Sequence, residues 1–256
     1  MTRSEAATTD KPAPATALDF VRDRLVKLEP TTRVVILQHP QEQDMLLGSA
    51  KLLEASLKNC VIRVGLSWAS LTHAIGDESL APDPTRWAVM YRGSLARKLR
   101  TAELAQPFLL LDKKALPLGA DRTAVEGIIV LDGTWSQAKA LWWRNAWMLK
   151  LMRVILHPTN PSAYGKIRKQ PSNHHVSTLE AVALALDGLG EKPEISEQLQ
   201  KLFRTMCQRA RDAGISNRTE PDAPRAEQLA EAVAEGKPLP RNMRQKNRKR
   251  RNDVAF

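Results

Sequence analysis

The sequence predicts an α/β domain in which a mostly parallel sheet is covered by helices on both faces. Three observations lead there. Short, wholly apolar runs recur along the chain, among them Val34-Val35-Ile36-Leu37 and Gly127-Ile128-Ile129-Val130-Leu131. Such runs read as strands buried on both sides. Stretches with helical apolar spacing lie between them, and alternation of this kind favours parallel strands joined by helices. No internal repeat and no strong boundary interrupts the pattern before residue 215.

Each element has its own justification. Residues 18–28 carry apolar spacing suited to a short helix, and the strand at 34–37 follows. Gln38-His39-Pro40-Gln41-Glu42 reads as a polar loop, and residues 45–58 return to helical spacing through Leu46, Leu47, Leu52, Leu53 and Leu57. Strands are expected at 61–66, 87–91 and 108–111, with a loop at 76–85 marked by Gly76, Pro82 and Pro84. After the strand at 127–131, a helix is expected from about Trp135 to Leu149, then a strand at 153–156 and a loop at 158–176. Ser177-Thr178-Leu179-Glu180 fits a capping box opening a helix to Leu189. An amphipathic helix is expected at 194–213 and a short one at 223–235, before Gly236-Lys237-Pro238-Leu239-Pro240 ends ordered structure. The expected organisation is a flexible leader (1–17), a main domain (18–215), a short helical extension (216–236) and a basic disordered tail (237–256).

Composition narrows the function. With 256 residues, 43% of them hydrophobic, the chain can bury a substantial core. Cys60 and Cys207 lie far apart and form no disulfide framework, which suits a reducing compartment. No apolar run approaches the roughly 18 residues that a membrane span needs. The Ala-, Thr- and Pro-rich start lacks a signal-peptide core, so a cytoplasmic location is expected. The net charge of +11 is uneven: Lys237 to Phe256 holds eight basic residues and one acid, leaving +4 for the rest. A basic arm on a mildly basic body points to a polyanion, with nucleic acid ahead of membrane.

Chemistry concentrates where the strand at 127–131 turns into a helix, through Asp132-Gly133-Thr134-Trp135. Ligands of open α/β sheets bind at the carboxyl ends of the strands. The Asp132 carboxylate can bind a ligand or accept a proton; a helix N-cap is its local alternative. Trp135 can stack on a base or a cation, or pack in the core, whereas Trp142, Trp143 and Trp147 read as core packing. The loop at 160–171 holds Tyr164, Lys166, Arg168 and Lys169 and suits an anion as well as it suits solvent. Ser177 and Thr178 open a helix whose N–H groups can face an anion or be merely capped. His174 and His175 are adjacent and diverge, with no cysteine or acid at ligand spacing, so no metal site is expected. No Walker loop, Gly-x-Gly-x-x-Gly or nucleophile elbow is present. The arm cations Arg244, Lys246, Arg248, Lys249, Arg250 and Arg251 would bind phosphates without reading sequence.

Asp132-Gly133-Thr134-Trp135 with Ser136-Gln137-Ala138-Lys139 resembles the signature of the DTW-domain family. His39-Pro40-Gln41-Glu42 is similar to its early Pro-x-Glu loop. Ser162-Ala163-Tyr164 with Ile167-Arg168 resembles its basic loop, and Ser177-Thr178-Leu179-Glu180-Ala181 its late helix start. The resemblance covers roughly residues 33–190. It implies a fold related to the knotted SPOUT methyltransferases and a tRNA-uridine aminocarboxypropyltransferase activity. Such proteins move the 3-amino-3-carboxypropyl group of S-adenosylmethionine onto N3 of a uridine, and methylthioadenosine leaves. No metal is implied. One departure stands out: many members begin with a cysteine cluster, and this chain has no cysteine before Cys60.

On this resemblance Asp132, Thr134 and Trp135 would be catalytic, and Pro40, Glu42, Tyr164, Arg168, Ser177, Thr178 and Glu180 would hold S-adenosylmethionine. Asp132 would take the imide proton or orient the methionine amino group, Arg168 would grip the methionine carboxylate, and Trp135 would lie near the sulfonium or on the uridine. Lys166, Lys169 and the arm would hold RNA phosphates, of tRNA first and ribosomal RNA second. The alternatives are a SPOUT-type RNA methyltransferase, a non-catalytic RNA-binding or ribosome-assembly protein, and a plain α/β binding domain. Oligomeric state is left open.

Overall fold

The computed structural model describes residues 16–91, 106–118, 125–165, 167–168 and 176–215. These all fall within the compact unit Met1–Asn217, and the expected helix at 223–235 and the basic tail lie outside the described residues. Six strands form one sheet: β1 (Arg33–Gln38), β2 (Cys60–Val64), β3 (Trp87–Met90), β4 (Phe108–Leu111), β5 (Gly127–Asp132) and β6 (Met152–Leu156). Their order is β2-β1-β5-β3-β6-β4. Every pairing is parallel except β4 with β6, which is antiparallel at the edge.

The apolar runs are explained by this placement. Successive side chains of a strand point to opposite faces. Val34 and Ile36 of β1, Ile128 and Val130 of β5 and Val154 of β6 enter one core. Helices α1 (Ala50–Ser56), α4 (Thr178–Gly188) and α5 (Pro193–Asp212) cover that face with Leu52, Leu53, Val182, Leu186, Leu199 and Phe203. Val35 and Leu37, Ile129 and Val89 enter the opposite core, with Leu71 and Ile75 of α2 (Leu71–Ile75), Leu141 of α3 (Trp135–Arg144) and Met148. The expected doubly covered, mostly parallel sheet is therefore present.

Five local expectations change. Residues 18–28 form two 3-10 turns, Ala17–Phe20 and Arg22–Arg24, instead of one helix. The Phe20 carbonyl accepts from Arg209 Nη1 of α5 at 2.8 Å, and Leu28 bridges Leu57, so tertiary partners draw the chain straight. Ala17, assigned by composition to the leader, is buried in the first core. The helix expected at 45–58 is confined to α1, entered by turns in which the Leu47 carbonyl accepts from the Tyr164 hydroxyl at 2.5 Å.

The helix expected to run to Leu149 ends at Asn145 and resumes as a 3-10 turn, Ala146–Lys150. Asn145 is fully buried, and its Nδ2 donates to the Leu141 and Leu66 carbonyls at 2.7 and 3.1 Å while its Oδ1 accepts from Trp68 N at 2.8 Å. The side chain thus takes the carbonyl that a continuing α-helix would have used. Conversely, α2 arises within a stretch given no element. Ser70 caps it by accepting from His73 N at 3.2 Å, and Gly76 at φ 78° ends it in the left-handed region that glycine adopts without strain.

Candidate functional site

Three chain segments meet at the carboxyl ends of β1 and β5. Asp132 closes β5 beside Gln38, which closes β1 in register. The Asp132 side chain is buried, 9% exposed, and both of its oxygens are held. Gln38 Nε2 donates to Oδ2 at 2.8 Å, and the Thr178 hydroxyl, at the first turn of α4, donates to Oδ1. A carboxylate offers about four lone-pair positions, so accepting capacity remains for a ligand or a proton. Asp132 is not the cap of α3. Thr134 is: Gln137 N donates to its Oγ1 at 3.4 Å, and Thr134 N donates to Gln137 Oε1 at 2.5 Å. The local alternative for Asp132 therefore falls away, and its carboxylate faces β1 and α4 instead.

Gln137 has a second task. Its Nε2 donates to Gln41 Oε1 at 3.0 Å, tying the first turn of α3 to the turn Pro40–Glu42. Gly133 makes this approach feasible, since a Cβ there would lie 2.9 Å from Gln137 Cβ and 3.5 Å from His39 Cβ. Pro40 opens the turn at an exposed position, and Glu42 turns inward to meet Arg168, Nη2 to Oε2 at 2.8 Å. The two residues expected to contact a ligand separately thus form one ion pair.

The helix start at Ser177 is a full capping box that also grips the loop before it. Glu180 N donates to Ser177 Oγ at 3.1 Å, and Ser177 N donates to Glu180 Oε2 at 2.8 Å. The same carboxylate accepts from Ser162 Oγ at 2.6 Å and from Ala163 N at 2.8 Å. Ser49, at the start of α1, accepts from Leu179 N at 3.3 Å. Glu180 is therefore committed to holding the 162–168 loop against α4. Tyr164 sits beneath that loop: its ring is buried edge-on to Phe203 at 4.8 Å, its hydroxyl donates to Leu47, and burial pushes its pKa up to about 12. It serves as the floor of the site, while Arg168 lies over its ring at 5.6 Å.

Trp135 is 55% exposed at the start of α3, 6.4 Å from Tyr91, which follows β3. Tyr91 in turn stacks on Trp142 at 4.7 Å, and Arg153 covers the Trp142 ring, also at 4.7 Å. Trp147 is structural as expected, donating to the Trp68 carbonyl at 3.0 Å. Trp143 is not packed in a core: it is 72% exposed. A separate cleft of about 370 Å³ lies between Pro158–Pro161, Val176, Leu184 and Phe203. It shares Glu180 and Ala163 with the site, but Asp132, Trp135 and Arg168 do not line it. Lys166, Lys169, His174, His175 and the arm lie outside the described residues.

Sequence reasoning brought Asp132, Thr178, Glu42 and Arg168 forward but missed Gln38, Gln41, Gln137 and Ser49. Gln38 had a readable signal, an uncharged polar side chain closing an apolar strand. The glutamine pair had none, because its members are 96 residues apart.

Fold and site together define an α/β domain whose candidate site lies where parallel strands give way to capped helix starts, with a buried carboxylate and an exposed tryptophan three residues apart. The chain belongs to the DTW domain family, whose model matches residues 18–211. It is similar to tRNA-uridine aminocarboxypropyltransferase 2 of Macaca fascicularis, 29% identical over 216 residues, covering 84% of this chain and 65% of that protein. The Mus musculus protein of the same name is 28% identical over 221 residues, 85% of this chain and 66% of its own length. Its Drosophila melanogaster counterpart is 29% identical over 187 residues, 72% and 66% respectively. The chain thus spans about 65% of the length of these relatives. No solved structure matches it.

Proposed function

We propose that this protein transfers the 3-amino-3-carboxypropyl group of S-adenosylmethionine to N3 of a uridine in tRNA, releasing methylthioadenosine. The observation that carries the reading is the Asp132 carboxylate, fixed by Gln38 and Thr178 at the end of β5 with Trp135 exposed beside it. The relatives named for this tRNA reaction support it.

The residues present suit the donor. Its amino group and sulfonium are cationic and match a fixed carboxylate and an aromatic face. Its methionine carboxylate matches a guanidinium, whose five N–H donors exceed the one bond given to Glu42. S-adenosylmethionine supplies a carbon activated by a sulfonium leaving group. In this reading Arg168, steadied by Glu42, binds the carboxylate end, and Asp132 binds the amino group or accepts the proton leaving uridine N3. The new N3–carbon bond replaces the carbon–sulfur bond, whose electron pair leaves on sulfur. Alignment of the two reactants is worth up to about 7–11 kcal/mol in favourable cases, and the rigid capping of α3 and α4 serves it. Thr134 acts by holding the α3 start that carries Trp135.

N3 is hidden within a base pair, so the target uridine lies in a loop or leaves its stack. Lys166, Lys169 and the arm cations Arg244, Lys246, Arg248, Lys249, Arg250 and Arg251 are proposed phosphate contacts on charge grounds.

The test is incubation of the full chain with unmodified tRNA and S-adenosylmethionine, with ribosomal RNA in parallel, followed by nucleoside mass analysis. The expected product is a uridine heavier by the aminocarboxypropyl group, with methylthioadenosine released. A methylated nucleoside, or no product together with no affinity for S-adenosylmethionine, would overturn the reading.

A further inference from the structure

Beyond Trp135, the exposed side of α3 has no role in the core or in the chemistry above. Trp135, Lys139 and Trp143 recur at four-residue steps along one stripe of the helix, and all three are exposed. A ring as large as Trp143 left 72% in solvent forgoes a large hydrophobic gain. The charge along this segment of the chain has one sign. Between Asp132 and Glu180 the sequence contains seven lysines and arginines and not one acid. Three of these, Lys139, Arg144 and Lys150, are exposed along α3 and the turn that follows it. Among the described residues none of the three has an acidic partner.

The stripe also has a direction. It starts at Trp135, beside Asp132, and runs away from the site. At 1.5 Å rise per residue, Trp143 lies about 12 Å along the helix from Trp135, which is the length of three to four stacked nucleotides at 3.4 Å each. Beneath it, the Tyr91–Trp142–Arg153 stack gives the helix a rigid bed.

We infer that this stripe is a stacking platform for unpaired RNA, on which Trp143 receives a base a few nucleotides from the target uridine while Lys139 neutralises the intervening phosphates and Arg144 and Lys150 those beyond that base. The inference rests on the proposed RNA substrate and adds which face of the domain the strand crosses. Aromatic rings interleaved with cations are how unpaired nucleic acid is held without sequence readout. An acidic protein or an anionic membrane would use the cations but would not require a flat ring at a fixed distance from the site.

The test compares full-length wild type with Trp143→Ala, Trp143→Phe and the pair Arg144→Ala/Lys150→Ala. Affinities are measured for unmodified tRNA and single-stranded oligouridylate, with S-adenosylmethionine affinity and Tm as controls. Trp143→Ala is expected to weaken both RNAs about 5- to 100-fold, with Tm and S-adenosylmethionine affinity unchanged, and Trp143→Phe to restore most of the loss. The double cation variant should lower the salt slope of RNA binding by roughly 1.5. Wild-type RNA affinity in Trp143→Ala would overturn the platform, as would a loss confined to anionic vesicles or to an acidic polypeptide used as competitor. These binding readouts do not depend on turnover. A wild type that makes product while Trp143→Ala binds normally sinks the platform alone, whereas a wild type that makes no product sinks the proposed reaction alone.

Discussion

Replacing Asp132 with asparagine separates its chemistry from its packing. The substitution keeps the size and one acceptor oxygen, so the Thr178 hydroxyl can still donate. The other oxygen becomes an NH2 group facing the Gln38 Nε2 donor, now 2.8 Å away. The contact survives only if the Gln38 amide turns over and presents its oxygen. Hydrogen bonds to a charged group contribute about 1.5–3 kcal/mol each. With one retained and one exchanged for a neutral bond, a cost of about 1–2 kcal/mol is expected. For a domain of this size that lowers Tm by roughly 2–8 °C. A proton acceptor contributes typically about 10²–10⁴ in rate. Single-turnover transfer at saturating S-adenosylmethionine should therefore fall about 10²-fold or more in Asp132→Asn. Thr178→Val provides the control. It strands Oδ1 of a buried carboxylate, at about 1–3 kcal/mol of stability, but leaves the carboxylate in place, so its rate should fall less than about tenfold, well short of the loss expected of an absent proton acceptor. A folded Asp132→Asn within twofold of wild type would show that the carboxylate neither accepts the proton nor anchors the donor. Equal losses in the two variants would reassign Asp132 to positioning α4.

Further outcomes follow from the same structure. Gly133→Ala places a methyl 2.9 Å from Gln137 Cβ, so the Gln137–Gln41 link and the cap of α3 should loosen; a loss of about 1–2 kcal/mol in chemical denaturation is expected. Glu191 is partly buried, which by itself raises its pKa, but bonds from the Thr31 hydroxyl and from Thr32 N and Oγ1 outweigh this and hold the carboxyl below its usual range. Its stabilisation is present above the unfolded carboxylate pKa and disappears as pH falls through the lower folded value. Glu191→Gln should therefore be less stable than wild type at pH 7, with the gap closing on acidification; a gap constant with pH would contradict this. Burial raises the thiols of Cys60 and Cys207, each to about 12, so neither should react with a thiol reagent at neutral pH until the protein unfolds. Deleting residues 237–256 removes eight cations; the salt slope of tRNA binding should fall by several units while S-adenosylmethionine affinity stays constant.

Much of the fold was legible in the sequence because strands buried on both faces must be apolar at every position. Val34 to Leu37 and Ile128 to Leu131 could hardly be anything else, and helical spacing between them implied parallel crossovers. The capping box at Ser177 was legible for the same local reason: its partners are three residues apart. What was not legible depended on partners far along the chain. The break at Asn145 is imposed by Leu66 and Trp68, and the straightened segment after Phe20 by Arg209.

The candidate site divides along the same line. The stretches that carry polar chemistry can be read directly along the chain, since Asp132, Thr134, Glu42, Arg168 and Thr178 lie in short motifs between apolar elements. What each of them does is set by contacts made across the fold. The parallel register of β1 and β5 sets Gln38 beside Asp132, and packing of α4 on that face delivers Thr178 to the same carboxylate. The fold pairs Glu42 with Arg168 and spends Glu180 on the loop at Ser162. It also turns Trp142 inward and Trp143 outward, because which face of α3 meets the sheet is set by the strand it packs on and not by the composition of the helix.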